Sequence, residues 1–120
     1  MSSTITSAKE LPGYLESVRV ADRTLLDVAR THRLRPMEAY LLLILLDEDD
    51  SVSTAHIAAR IAASSSQAKQ LALALQVRGL VARRDRTGLT TLTPEGRAEA
   101  EQLSAEVTAA LRERLGAISV

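Results

Sequence analysis

"STAHIAARIAASSSQAKQLALALQVRGLVAR" runs from Ser53 to Arg83. It reads as two helices with a serine break between them. Ser53 is a good N-cap for a short helix from Thr54 to about Ala62. "ASSSQ" interrupts that helix. Ser64, with Gln67 three residues on, forms a capping box that opens the next helix. This second helix runs to about Arg78 and stops at Gly79, the residue type that ends helices most readily. Ala68, Leu71, Ala72 and Leu75 recur at helical spacing and make its inward stripe. Ser65, Ser66, Lys69 and Gln70 fall on the opposite side near its start. Leu73 and Val77 also fall partly outward.

Working toward the C-terminus, Leu80–Arg84 and Leu89–Thr93 have strand character, and "DRTG" between them supplies a turn with a glycine for positive φ. The pair reads as a short β-hairpin. Three arginines, Arg83, Arg84 and Arg86, crowd this hairpin in a chain of zero net charge. Thr93 caps a last helix with Pro94 in its first turn. Leu103, Val107, Ala110, Leu111 and Leu115 line one stripe of that helix, and Gly116 is its expected terminator.

Working toward the N-terminus, Pro36 opens a helix to about Asp47 whose centre, Tyr40 to Leu46, is apolar on every side. Such a helix is the buried middle of a fold. "DEDD" at 47–50 ends it in an acidic surface loop. A further helix covers about Pro12 to Thr31, with Leu15, Val18, Ala21, Leu25 and Val28 as its apolar stripe. Arg33–Arg35 is a short basic connection. Met1–Lys9 is polar and expected to fray. No linker or repeat divides the 120 residues, so the reading is a single domain with its core at about 36–96 and flanking helices at about 12–31 and 94–115.

Composition narrows the function classes. Leucine and alanine number nineteen each, with no Phe or Trp, which favours a mainly α fold. The longest apolar run, Ala39–Leu46, is too short to span a bilayer, and no signal-peptide pattern opens the chain. Cytoplasmic localisation without membrane partners is the expectation. Cysteine is absent, which removes disulfides, thiol sensing and Cys nucleophiles. His32 and His56 are read as solvated or capping residues rather than metal ligands, with His56 exposed on the short helix. No phosphate loop, nucleophile elbow or serine with a base partner is present, so neither an enzyme nor a cofactor is expected. Charge is uneven: residues 1–50 balance at −3, residues 51–93 at +5 and residues 94–120 at −2. A cationic middle suits a surface that meets an anion, with the acidic flanks turned away.

The order of helix, helix, short helix, serine-capped helix, "RGL", basic hairpin, "LTPEG" and long helix resembles the MarR family of winged helix-turn-helix transcription regulators. Leu75, Gly79–Leu80–Val81 with Arg83, and Leu92–Thr93 with Gly96 stand where family members show the same steps. The likeness covers roughly 60 residues by motif and the flanking helices by pattern. The hairpin is shorter than the family norm, and Asp85 and Arg86 are adjacent where relatives carry D-x-R. The C-terminal region has room for one long helix where relatives often have two.

The resemblance implies a mainly α fold with a short β-hairpin wing between N- and C-terminal dimerisation helices. Its implied function is a homodimeric repressor on a pseudo-palindromic, double-stranded DNA operator. Candidate DNA-binding residues are Ser64, Ser65, Ser66, Gln67, Lys69 and Gln70 on the recognition helix and Arg83, Arg84 and Arg86 on the wing. A recognition helix fits a major groove ~12 Å wide, where Gln70 suits adenine and Lys69 suits guanine or phosphate. Arg84 and Arg86 suit phosphates, whereas for Arg83 a structural role at the wing root stands level with phosphate contact. A small-molecule effector of apolar or weakly polar character, held near Tyr14 or Tyr40, is a further expectation. Leu73, Val77 and the stunted wing leave an alternative: a winged-helix module for protein–protein contact.

Overall fold

The computed structural model describes residues 7–48, 50–84 and 86–119, with side chains as far as residue 116. The fraying start is largely outside these residues, as are Asp49 of the acidic loop and Asp85 beside Arg86. The elements are α1 (Leu11–Thr31), α2 (Pro36–Glu48), α3 (Thr54–Ile61), α4 (Ser65–Val77), β1 (Val81–Arg83), β2 (Thr90–Leu92) and α5 (Pro94–Ser119). The fold class read from the sequence is the one observed.

Helix α2 is the centre. Ala39, Leu41, Leu42, Ile44 and Leu45 are all buried, and each fully buried leucine contributes about 2 kcal/mol. Tyr40 departs from the expectation of an all-round buried segment: it is 38% exposed, because it faces a surface cleft. Around α2 pack α1, α4 and α5, with Ala68, Ala72 and Leu75 of α4 and Ala100, Leu103 and Val107 of α5 in the same core.

Local chemistry sets the helix ends. Ser53 accepts from the His56 amide at 3.1 Å. Ser64 accepts from the Gln67 amide while Gln67 Oε1 accepts from the Ser64 amide, each at 3.1 Å. At the end of α4, Gly79 takes φ +76° and the Leu80 amide reaches back to Leu75 O at 3.0 Å. Gly116 does not end α5, which continues to Ser119. A single glycine costs a helix only about 1 kcal/mol, and nothing else stops the chain there.

The hairpin is short. β1 and β2 pair antiparallel with Val81 opposite Leu92, Ala82 opposite Thr91 and Arg83 opposite Thr90. Gly88 closes the turn with φ +66°. A third segment joins it that sequence patterning does not show: Val52, before α3, exchanges both backbone hydrogen bonds with Thr90, at 2.8 and 2.9 Å. The hairpin is thus stitched to the segment that opens the helix-turn-helix.

Candidate nucleic-acid interface

Helix α4 presents Ser64, Ser65, Ser66, Gln67, Lys69 and Gln70 as one exposed polar surface at its N-terminal end. The buried side of the same turns, Ala68 and Ala72, holds the helix against the core, so the polar face is outward by packing rather than by chance. This end also carries the positive end of the helix dipole and unpaired backbone amides, which favour an anion. Gln67 is partly committed: its side-chain oxygen belongs to the capping box, which leaves its amide nitrogen for other partners. Val77, on the last turn of α4, is 88% exposed, whereas Leu73 is half-buried.

The three hairpin arginines divide. Arg83 is half-buried, and its Nη2 donates to Thr54 Oγ1 at 3.3 Å. A Cβ on Gly88 would come within 3.1 Å of that same nitrogen, so the guanidinium lies against the turn. Arg83 Nε is buried with no hydrogen-bond partner among the described residues. Arg83 therefore sits at the wing root, bracing the hairpin against the first turn of α3. Arg84 and Arg86 are exposed and form no ion pair among the described residues.

The cationic middle of the chain is smaller in space than in sequence. Arg60 pairs with Glu48 at 2.6 Å and Asp47 at 3.1 Å. Glu48 also accepts from His56 Nε2 at 2.6 Å. These hydrogen bonds to His56 and Arg60 hold the Glu48 carboxyl below its ordinary range and raise Arg60. Arg78 donates to the carbonyls of Arg33 and His32. Lys69, Arg84 and Arg86 remain as outward cations without ion pairs among the described residues. The acidic end of α2 does not face away, as expected from the charge pattern, but clamps α3.

His56 is exposed on α3, as read from the sequence, and is bound to Glu48. His32 corrects the solvated reading: its side chain is 6% exposed and its two ring nitrogens meet Glu99 and Glu106 of α5. Its place at the C-cap of α1 agrees with the capping alternative. Among the described residues no group of three or more His, Asp and Glu side chains could hold a metal ion. No described helix is long and apolar enough to cross a membrane.

A cleft of about 660 Å³ lies between α1, α2 and α5, lined by Leu25, Leu26, Met37, Tyr40, Leu43 and Leu111 among others. Tyr14, the other tyrosine expected there, does not line it. A second cleft of about 590 Å³ shares Met37 and Ile61 with the first and opens onto Ser66, Gln67 and Gln70.

A short helix, a turn, a helix with an exposed polar N-terminus and a basic hairpin stitched to both define a winged helix-turn-helix, a DNA-binding class of module. In the order and packing of all its elements, the chain has the fold of MarR-family transcriptional regulators. Its sequence matches no family model and no curated protein. Solved structures do match. The MarR-family regulator SPO1453 from Silicibacter pomeroyi is 27% identical, with 98% of this chain and 86% of that one covered at a TM-score of 0.74. The Mycobacterium tuberculosis MarR-family protein Rv2887 is 25% identical, covering 92% and 83% at 0.76. Its complex with DNA is similar over 87% of this chain and 82% of that one, at 26% identity and a TM-score of 0.72. CouR from Rhodococcus jostii, solved with p-coumaroyl-CoA, is 24% identical, covering 94% and 80% at 0.76.

Proposed function

We propose that this regulator binds double-stranded DNA sequence-specifically as a homodimer and acts as a repressor on a pseudo-palindromic operator. The observation that carries the reading is the exposed polar N-terminal face of α4, flanked by the exposed arginines of the wing. The DNA complex of Rv2887 supports it. Lys69 and Gln70 lie one turn past the cap, where a groove-inserted helix reaches base edges. Ser64, Ser65, Ser66 and Gln67 serve phosphates at the helix start. Arg84 and Arg86 hold the backbone, and Arg83 acts from the wing root. Two-fold symmetry then sets two recognition helices about one DNA turn (~34 Å) apart.

Gln70→Ala is expected to relax sequence preference, by roughly 1–3 kcal/mol on the best site and little on random DNA. Arg86→Ala is expected to weaken both alike. It should also flatten the log–log salt slope by about 0.9 for each phosphate left without its arginine, counted in both subunits. Binding titrations on a selected site and on random DNA, over a salt series, read both effects. The reverse pattern would assign sequence reading to the wing. No DNA binding at low salt would hand the surface to a protein partner, with Val77 at its edge.

The larger cleft suits an apolar or weakly polar effector. Its volume lies within the usual range for small-molecule sites, and its walls are mostly aliphatic, with Tyr40 and Asp22 as the polar side chains. CouR bound to p-coumaroyl-CoA and Rv2887 bound to p-aminosalicylic acid support a small-molecule effector.

A further inference from the structure

His32 is buried where α1 ends against α5. Its Nδ1 contacts Glu99 Oε2, and its Nε2 lies 3.0 Å from Glu106 Oε1. A carboxylate only accepts, so two carboxylates on the two ring nitrogens require two N–H donors. Neutral imidazole has one and imidazolium has two. Burial works to lower the His32 pKa, but the hydrogen bonds and charges of Glu99 and Glu106 outweigh it and hold the ring above its ordinary 6.5.

The main chain of the same residue receives the recognition helix. Arg78, the C-cap of α4, donates from Nη2 to the His32 carbonyl at 3.3 Å and from Nη1 to the Arg33 carbonyl at 2.5 Å. Arg33 stands in the left-handed region at φ 58°, which turns both carbonyls out of α1. Charged groups near the joint include Glu99 and Glu106 from α5, Arg78 from α4, Arg33 and Arg35 beside it in the chain and Glu38 from α2. The Glu38 carboxylate is engaged by the Arg35 amide at 2.8 Å.

We propose that His32 is a positioning residue for DNA binding: as an imidazolium bridging Glu99 and Glu106, it ties the recognition helix to α5 through Arg78, and losing its proton weakens DNA binding. The proposal rests on the DNA-binding reading above. Deprotonation leaves one carboxylate facing a ring lone pair, and the repulsion loosens the joint whose carbonyls Arg78 of α4 grips. The folded-state pKa is raised, so the lock is fully present below the ordinary value and is lost as pH rises through the raised one.

The test is a DNA titration at fixed salt from about pH 6 to about pH 9, with the His32 ring protons followed by NMR in free and DNA-bound protein. Affinity is expected to fall by about fivefold or more toward the alkaline end, with a one-proton dependence. By reciprocity DNA raises the His32 pKa. His32→Gln keeps an N–H donor group and carries no titrating proton, so its affinity is flat over the window. Glu106→Gln moves the step to lower pH. A His32→Gln protein that keeps the wild-type step, or a His32 titration that DNA does not shift, overturns the proposal. Should His32→Gln fail to fold, the wild-type NMR comparison and Glu106→Gln decide. pH-flat DNA binding by the wild type removes the role of His32 alone, whereas absence of binding at every pH removes the DNA reading and this proposal together.

Discussion

Gly96 is the most crowded of the glycines. A Cβ there would stand 1.7 Å from the Leu80 carbonyl oxygen, a backbone atom that cannot swing aside. The crowding comes from a knot between the end of α4 and the start of α5. Thr93 donates its hydroxyl to Gly79 O at 2.7 Å and accepts the Gly96 amide at 2.9 Å. The Thr93 amide also reaches Leu80 O, at 3.1 Å. Gly96→Ala must push the recognition helix and α5 apart, and it is expected to destabilise the fold by about 3 kcal/mol. Thermal unfolding measures this, and a melting temperature equal to that of the wild type would show that the knot is slack.

At the scale of elements, α3 and α4 are held by caps and by one ion-pair clamp. Ser64 satisfies an amide at the head of α4, the same end that we propose faces DNA. Ser64→Ala should lower stability by about 1 kcal/mol in denaturant titrations and should also fray the DNA-facing turn. An unchanged denaturation midpoint would argue that the Gln67 half of the box suffices. The clamp from Asp47 and Glu48 onto Arg60 and His56 fixes α3 against the end of α2. The Glu48 carboxyl is held below its ordinary 4.5, so the clamp is present above that value and is lost as pH falls through the lowered one. Acid unfolding of Glu48→Gln should therefore lack the part of the transition that belongs to this group. Superimposable acid curves for the two proteins would leave the clamp without a role.

The whole molecule is longer than a compact domain of its size. Its extents are 48 × 28 × 20 Å, and its radius of gyration of 15.6 Å exceeds the roughly 14 Å expected for 120 residues. The first half of α1 accounts for this. Leu11, Tyr14, Leu15 and Val18 are each 38–49% exposed, while Leu25 and Val28 further along pack on the core. The second half is tied down by Arg114 of α5, which reaches both Thr24 and Asp27 at 3.0 Å. An apolar stripe that begins outside the domain and ends inside it suits a second copy of the chain. Leu15→Glu combined with Val18→Glu should give a folded monomer in sedimentation, with DNA affinity much reduced. A wild-type protein that sediments as a monomer at micromolar concentration, with or without DNA, would end the dimer reading.

Much of this was legible residue by residue. The caps at Ser53, Ser64 and Thr93, the stop at Gly79 and the inward stripe of α4 are each set within one or two turns of chain. Their hydrogen bonds and periodicities are therefore written locally in the sequence. The exposed face of α4 follows from the same stripe. Other features need the folded chain. Two helices end on left-handed residues that are not glycine, Arg33 and Ala62, and no composition signal marks them. Val52 joins Thr90 across the fold. Arg60, Arg78 and Arg83 look alike in the sequence to Arg84 and Arg86, yet the first three are spent on internal partners. His32 meets carboxylates 67 and 74 residues away. The sequence alone determined where helices begin, stop and turn their apolar sides, because those choices are made by neighbours along the chain. Which charges are drawn into internal ion pairs and hydrogen bonds, and which histidine meets two carboxylates, was decided only by tertiary packing, because burial beside a distant partner changes what a side chain can do.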